Sequence, residues 1–239
     1  MASAQEPKLP QRSAAEIAPG PITGITTRRR ERGRYLIALA GTPAFTLTEE
    51  TLFRAGLQIG DDLDTAAIAR LLADDDVAQA TETALHFLAY RARSEQEVRA
   101  RLKRGAFSPE AIDAAITRLN DWRYLDDADF ARRWVESRAS GKPRGQRLLQ
   151  QELRQKGIDA ETSRQVIAEA GLDEVAAATA LARKRLGAMP GEDPAAVRRK
   201  ISAYLARRGY GFDVVRKALE QATGERMDDE DLGDQDPAT

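Results

Sequence analysis

The sequence has no cysteine, a single histidine, few aromatic residues and no long apolar run. Without cysteine, a disulfide framework and cysteine-ligated metal sites are excluded, and a reducing compartment suits the chain. Aromatic residues make up only 5% and hydrophobic residues 42%, which favours a helical core rich in alanine and leucine. No apolar segment is long enough to cross a membrane, and residues 1–20 lack the apolar stretch of a signal peptide. We therefore expect a cytoplasmic protein.

The net charge of −1 conceals an uneven distribution of charge along the chain. Residues 79–226 contain about 28 Lys and Arg against about 21 Asp and Glu, whereas residues 227–239 contain about six acids and no base. A basic body with an acidic tail is typical of a protein that binds an anionic partner, such as nucleic acid or an acidic protein surface. A well-solvated helical surface followed by a disordered tail gives the same pattern, so charge alone leaves both interpretations open.

The first third of the chain predicts a disordered tail over residues 1–20 and a small α+β module over residues 21–76. Two short apolar runs flank Gly41-Thr42-Pro43, which indicates a β-hairpin, and a β-branched segment before them adds a third strand. The run Asp74-Asp75-Asp76 marks a domain boundary or the cap of the next helix. The expected strands are 22–27, 34–39 and 44–48, and the expected helices are 49–55 and 63–72.

Three segments of the remaining chain, residues 98–119, 149–170 and 201–222, can be aligned with one another. Leu102, Leu153 and Leu205 coincide in this alignment, and the copies are separated by about 51 to 52 residues, longer than most helical repeats.

Each aligned segment contains two helices and is preceded by a third. In the first copy Ser94 and Glu97 form a capping box, and Ser108 caps the following helix with Pro109 at its first position. The preceding helices are predicted at about 80–91, 128–139 and 174–186.

One three-helix unit cannot bury both of its faces alone, so stacking of the units is expected. The predicted fold is mainly α: three tandem three-helix repeats in an elongated curved array, preceded by the small N-terminal α+β module with its β-hairpin. The repeats are predicted at residues 77–125, 126–172 and 173–224, and an acidic disordered tail at residues 225–239.

No catalytic constellation is recognisable. Gly141-Lys142 is followed by proline and lacks the upstream glycine of a phosphate-binding loop, and the lone His86 leaves no serine or threonine with a base. The cluster Asp126, Asp127 and Asp129 admits a Mg²⁺ site, but aspartates at this spacing are typical of a helix start, which we favour. We therefore predict a protein that is not an enzyme and has no cofactor and no metal.

The cations are more informative, and they crowd into the second repeat. The segment 140–145 has two glycines and two cations, and a flexible loop with positive charge before a helix start suits a phosphate or a carboxylate. Ordinary solvated helix faces are the alternative interpretation of the separate arginines. The residues predicted to bind a macromolecular partner are Arg132, Arg133, Arg138, Lys142, Arg144, Arg147, Arg154 and Lys156.

Several motifs together resemble the RecX family of regulators of the RecA recombinase. They are residues 91–102, Phe107-Ser-Pro-Glu-Ala-Ile112, Tyr124-Leu-Asp-Asp-Ala-Asp-Phe-Ala131, Arg144-Gly-Gln-Arg147 and Glu152-Leu-Arg-Gln-Lys-Gly-Ile158. The resemblance covers about residues 79–223, and the module before it is similar to the N-terminal extension of some longer members. One departure is Gly105-Ala106, where the family usually has Lys-Gly before the aromatic residue.

The resemblance implies a curved molecule of three three-helix repeats that binds along the groove of the RecA filament on DNA. It implies inhibition of the recombinase, ATPase and co-protease activities of RecA, by capping or by disassembly, and hence a role in DNA repair, recombination and the SOS response. The expected partners are the RecA nucleoprotein filament and single- or double-stranded DNA, without a membrane, and the expected state is a monomer. The alternative is a helical-repeat protein that binds DNA directly and independently of RecA.

Overall fold

The structure, a computed structural model, describes residues 13–28, 31 and 33–226. These residues form a four-stranded sheet and ten α-helices, so the predicted mainly helical fold is confirmed. The strands are β1 Gly20–Thr27, β2 Arg34–Leu39, β3 Thr42–Thr48 and β4 Asp62–Leu63. The helices are α1 Glu49–Ala55, α2 Thr65–Leu88, α3 Glu95–Arg104, α4 Pro109–Asp121, α5 Asp127–Ser140, α6 Gln146–Gln155, α7 Ala160–Glu169, α8 Glu174–Leu186, α9 Pro194–Arg207 and α10 Phe212–Thr223.

The chain divides into two compact units, Met1–Leu125 and Asp126–Thr239. The first unit holds the sheet and helices α1–α4, and the second holds helices α5–α10. Within the part of the chain that the structure describes, no helix combines the length and the apolar character that crossing a membrane requires.

The sheet is antiparallel, in the order β3-β2-β1-β4, and the predicted hairpin is confirmed as β2 and β3. Its turn consists of Ala40 and Gly41, which both have positive φ, of 46° and 81°. Positive φ at both turn residues matches the right-handed twist of the flanking strands. Pro43 lies inside β3 rather than in the turn, which is tolerated because β3 is an edge strand.

The segment before the sheet differs from the prediction of a disordered tail. Residues Ala14–Glu16 form a 3-10 turn, and Ile17 is buried in the core of the module beside Ile22 and Ile68. Burial of one isoleucine contributes about 1.5–3 kcal/mol, which favours order in this segment. The rest of the two predicted tails, residues 1–12 and 227–239, lies outside the described residues.

The interpretation of Asp74-Asp75-Asp76 as the cap of a new helix is wrong, because α2 runs through all three residues without a break. Successive helical residues point about 100° apart, so the three carboxylates face different neighbours. Asp74 is exposed, the buried Asp75 contacts the sheet, and Asp76 accepts hydrogen bonds from the backbone and hydroxyl of Ser108 at the start of α4. The predicted boundary between residues 76 and 77 therefore falls inside α2, a helix that contacts both the sheet and the start of α4.

The three-helix units are α2–α4, α5–α7 and α8–α10, and each has its own apolar core. The aligned residues Leu102, Leu153 and Leu205 are all buried, which agrees with their shared place in the repeat. The predicted caps are confirmed, because the side chains of Ser94 and Ser108 accept hydrogen bonds from the backbone amides of Glu97 and Ala111, the third residues of their helices.

The turn after the second helix of each unit requires a left-handed residue. Ala106, Gly157 and Gly209 occupy this position with φ of 60°, 85° and 85°. Gly105-Ala106, where the sequence departs from the family, thus keeps the turn, but with an alanine where glycine adopts this φ at lower cost.

Replacing Ala106 by glycine is expected to raise the free energy of unfolding by about 1 kcal/mol, because the left-handed strain is removed. Urea denaturation followed by circular dichroism measures the change. Ala100→Gly is the matched control: Ala100 is exposed inside α3, so this glycine should lower the free energy of unfolding by about 0.5–1 kcal/mol. A lower free energy of unfolding in Ala106→Gly would contradict the strained left-handed conformation assigned to Ala106.

Candidate partner-binding surface

The eight cations singled out from the sequence lie on α5, on α6, and in the segments that follow these two helices in the second unit. Arg132, Arg133 and Arg138 are on α5, and Lys142 and Arg144 lie between α5 and α6. Arg147 and Arg154 are on α6, which ends at its C-cap Lys156. The structure brings only some of them together, and it gives them different environments.

A buried carboxylate organises the centre of this group. The side chain of Glu152 on α6 is only 9% exposed, and its Oε2 accepts hydrogen bonds from Nε1 of Trp134 at 2.8 Å and from Nε of Arg138 at 2.9 Å. Its other oxygen pairs with the guanidinium of Arg144. One buried carboxylate thus faces two guanidinium groups, so the cluster keeps a net positive charge and gains a fixed geometry.

Trp134 orients two of the cations. The guanidinium of Arg138 lies 4.2 Å from the centre of the Trp134 ring, and Nζ of Lys156 lies 5.1 Å from it. Phe130 stacks on the same indole, with 5.9 Å between ring centres. Because a ring face attracts cations, these contacts restrict the rotamers of Arg138 and Lys156 before any partner binds.

The glycine-containing segment before α6 is fixed in place, so the prediction of a flexible loop is wrong at Gly145. The amide of Gly145 donates to the carbonyl of Arg208 at 2.9 Å, and Nη1 of Arg208 donates to the carbonyl of Pro143 at 3.1 Å. A Cβ on Gly145 would lie 2.2 Å from the carbonyl oxygen of Gly209, so only glycine permits this approach. The segment is docked on the turn between α9 and α10.

The start of α6 already has an anion of its own. The amide of Gln146 donates to Oε1 of Glu174 at 2.7 Å, and Glu174 lies in the first turn of α8. The carboxylate that the sequence suggested for this position is therefore supplied by the chain. Binding of a partner's anion here would have to use side chains rather than the helix terminus.

Positive charge gathers around the docked segment. Burial lowers the pKa of Arg144, and the neighbouring charges of Arg138 and Arg208 lower it further. Arg208 was not among the residues singled out from the sequence, although it is the repeat equivalent of Lys156 and could have been found from the alignment. The guanidinium of Arg208 lies 5.1 Å from the centre of the Tyr204 ring.

The remaining cations differ in whether the chain already neutralises them. Arg132 and Arg133 lie 3.7 and 2.7 Å from oxygens of Asp129 in the same helix. Lys142, Arg147 and Arg154 are exposed and have no ion pair with any residue that the structure describes. These three are therefore the cations with charge available to a partner. We call Arg138, Lys142, Arg144, Arg147 and Arg208 the cationic surface.

The aspartate cluster marks the start of α5, where Asp126 is the N-cap and Asp127 and Asp129 lie in the first turn. The side chain of Asp126 accepts a hydrogen bond of 2.8 Å from the amide of Asp129, and Asp129 pairs with the arginines described above. The favoured interpretation of this cluster as a helix start is confirmed.

Comparisons with known proteins agree on one family. The family domain described as "RecX, first three-helix domain" matches residues 80–119, and the second and third three-helix domains match residues 126–167 and 173–219. A protein named Regulatory protein RecX from Bacillus velezensis is 33% identical over 215 residues, which cover 88% of this chain and 81% of the relative. One of the same name from Bacillus subtilis is 32% identical over 209 residues, covering 87% of this chain and 79% of the relative.

Solved structures give the same result. The chain superimposes on a crystal structure of regulatory protein RecX with a TM-score of 0.72 and 26% identity, covering 86% of this chain and 99% of that one. A crystal structure of RecX from Lactobacillus salivarius matches with a TM-score of 0.60 and 21% identity, over 64% of this chain and 99% of that one, which supports the fold.

Proposed function

Because this chain belongs to the RecX family of regulatory proteins, we propose that it is a non-enzymatic cytoplasmic regulator that binds the RecA filament on DNA as a monomer. In this proposal the bound protein inhibits the recombinase, ATPase and co-protease activities of RecA and so modulates DNA repair, recombination and the SOS response. The observation that carries it is the cationic surface, in which internal contacts hold Arg138, Arg144 and Arg208 while Lys142 and Arg147 are exposed and have no ion pair with any described residue.

The charge of this surface suits a nucleoprotein filament. DNA presents a dense array of phosphates, and exposed lysines and arginines bind them by releasing condensed counterions. Lys142 and Arg147 have no ion pair among the described residues, so their charge is available without breaking an internal contact.

Some residues of the cationic surface stabilise the fold of the second unit, and others are exposed for contact with a partner. Arg138 and Arg144 hold the buried Glu152, so changing either would remove one of the two cationic partners of that carboxylate and destabilise the second unit. A test of binding should therefore change Lys142 and Arg147, which are exposed and have no ion pair with any described residue.

Reversing charge in Lys142→Glu/Arg147→Glu is expected to weaken inhibition of the RecA ATPase on single-stranded DNA by about tenfold or more, since about 1.4 kcal/mol corresponds to tenfold. The concentration that halves the ATPase rate is the measurement. Lys103→Glu/Arg104→Glu makes the same charge change at exposed positions of the first unit and should shift that concentration by less than about threefold.

Equal inhibition by the Lys142→Glu/Arg147→Glu variant and the unchanged protein would remove the cationic surface from the proposal. The titration also separates two modes of inhibition, because inhibition far below one molecule per RecA protomer favours capping over coverage of the filament.

Direct DNA binding is the second candidate, and the exposed unpaired cations favour it as well. It predicts tight binding to DNA without RecA, with an affinity that falls steeply with salt. Fluorescence anisotropy of labelled DNA at two salt concentrations tests this. Salt-steep DNA binding combined with an unaffected RecA ATPase would support this candidate over the filament regulator.

A further inference from the structure

The chain carries a strongly acidic segment after its last helix. Residues 227–239 follow Arg226, the last residue that the structure describes. We call them the acidic segment. They contain no lysine or arginine and six acids, which are Asp228, Asp229, Glu230, Asp231, Asp234 and Asp236. Runs of like charge repel one another and are typical of segments that bind an oppositely charged partner.

The last helix of the second unit leads from the cationic surface toward the acidic segment. At the start of α10, Nη2 of Arg147 lies 3.9 Å from the position that a Cβ on Gly211 would occupy. The helix has 12 residues and ends at Thr223. At about 1.5 Å per residue, its length is about 18 Å. The acidic segment therefore begins a few residues beyond a helix end that is about one helix length from the cationic surface.

The acidic segment is long enough to return to that surface. An extended chain advances about 3.3 Å per residue, so the ten residues from Met227 to Asp236 span up to about 33 Å, well above the length of α10. A group tethered by so short a stretch of chain has an effective concentration in the millimolar range. An electrostatic contact of modest strength is therefore occupied without a second molecule.

The cationic surface keeps an excess of positive charge that the described residues do not neutralise. It holds five cations, and the carboxylates that lie against it are Glu152 and Glu174. Glu152 is shared by two guanidinium groups, and Glu174 accepts from the amide of Gln146. Lys142 and Arg147 have no ion pair with any described residue. The surface is therefore complementary in charge to the acidic segment.

The cations nearer to the acidic segment are accompanied by acids. Arg216 on α10 lies 3.8 Å from Asp213 in the same helix, and Glu225 pairs with Arg198 at 3.3 Å. Glu220 and Glu225 also line the same cavity as Arg216 at the end of α10. The end of α10 thus offers less uncompensated positive charge, which favours the cationic surface as the place of contact.

We propose that the acidic segment binds the cationic surface of its own chain and has to be displaced before that surface binds the phosphates of a partner. The inference rests on the proposed function for the identity of the partner, the RecA filament on DNA. In this arrangement the carboxylates of the segment take the place of phosphates at Lys142 and Arg147. Because the contact is electrostatic and exposed, salt weakens it.

The contact itself is tested without any partner. The chain has no cysteine, so Gln235→Cys, between two acids of the segment, gives a single position for a nitroxide spin label. At low salt the label is expected to broaden the backbone amide signals of Lys142 and Arg147 in nuclear magnetic resonance spectra of the full chain. Salt at about 0.5 M should restore these signals, because screening shortens the reach of exposed charges.

Neutralising the outer acids tests the competition with the partner. The variant is expected to halve the RecA ATPase rate on single-stranded DNA at a concentration about threefold or more lower than the unchanged protein, because the surface no longer has to be cleared. The substitutions are Glu230→Gln/Asp231→Asn/Asp234→Asn/Asp236→Asn.

A matched control removes the same number of negative charges from exposed acids of the first unit. It should shift the inhibiting concentration by less than about 1.5-fold, because these acids are outside the unit that carries the cationic surface. The substitutions are Asp74→Asn/Glu82→Gln/Glu110→Gln/Asp121→Asn.

A double-mutant cycle locates the effect. Neutralising the outer acids in the Lys142→Glu/Arg147→Glu protein should change the inhibiting concentration by less than about 1.5-fold, because the place of contact is already lost. A threefold gain that persists in this background would show an effect of net charge alone and overturn the competition at the cationic surface.

The outcomes separate this inference from the proposed function. Sharp amide signals at Lys142 and Arg147, or broadening restricted to the end of α10, overturn the contact and leave the proposed function in place. Equal inhibition of RecA by the neutralised variant and the unchanged protein overturns the competition. Broadened signals in a protein that does not inhibit RecA overturn the proposed function while the contact within the chain stands.

Discussion

Replacing Gly209 by alanine is expected to lower the free energy of unfolding by about 2–5 kcal/mol, from a strained φ and a steric clash together. Gly209 has φ of 85°, and a Cβ there would lie 2.4 Å from both the Cβ and the amide nitrogen of Leu148. Relief of the clash requires the turn between α9 and α10 to move away from the start of α6. Urea denaturation followed by circular dichroism measures the loss.

Gly224→Ala isolates the backbone part of this effect. Gly224 has φ of 79°, and a Cβ there would meet no atom within 4 Å. This control should therefore cost only about 1 kcal/mol. A similar loss in both variants would show that the clash is absorbed elsewhere and that the close approach of Gly145 and Gly209 is not tight. Under the proposed function, Gly209→Ala is also expected to weaken the inhibition of RecA, because the variant moves Arg208 away from Pro143.

Replacing Asp75 by alanine is expected to lower the free energy of unfolding by about 3–5 kcal/mol, because one partner of a buried ion pair is removed. The carboxylate of Asp75 accepts from Nη1 of Arg34 at 2.8 Å, from the amide of Thr48 at 2.5 Å and from Nε2 of Gln79 at 2.8 Å. The variant leaves the mostly buried Arg34 and the Thr48 amide without this acceptor. The same urea denaturation gives the measurement.

Asp74→Ala provides the matched control for Asp75→Ala. Asp74 precedes Asp75 in the same helix but is exposed, and its loss should change the free energy of unfolding by less than about 0.5 kcal/mol. Equal effects of the two variants would mean that helix propensity or net charge, rather than the buried contacts of Asp75, determines the loss.

The parts of the fold that follow from local chemistry were predictable. Seven of the nine helices of the three units begin at a serine or an aspartate that caps them, whereas α6 and α10 begin at glycines. The buried leucines of the units recur at the repeat interval. Both signals could be found from the sequence because capping and helical period act within a few residues. The hairpin was predictable for the same reason, since its glycine turn lies between two apolar runs.

The parts that depend on tertiary neighbours were not predictable. The run of aspartates at residues 74–76 has the composition of a cap, and only the packing of α2 against both the sheet and α4 gives each carboxylate its own partner. Gly145 suggested flexibility, whereas its lack of a side chain permits a close contact with a turn about 64 residues further along the chain.

Part of the cationic surface could have been found with closer attention to helical spacing. Leu149, Glu152 and Leu153 fall on one face of α6 by their separations of three and four residues, so Glu152 is placed on the apolar face. A carboxylate in that position requires cationic partners.

The continuity of α2 determines where this protein can be divided into fragments that fold. A fragment that begins at residue 77, where the repeat pattern starts, would lose the Asp76 carboxylate that accepts from Ser108. A fragment that ends at residue 76 would expose Ile68 and Leu71 at the end of a truncated helix. A piece that keeps both sets of contacts has to contain the sheet, the whole of α2 and α4, and the junction between Leu125 and Asp126, where the two compact units meet in the sequence, is the place to cut.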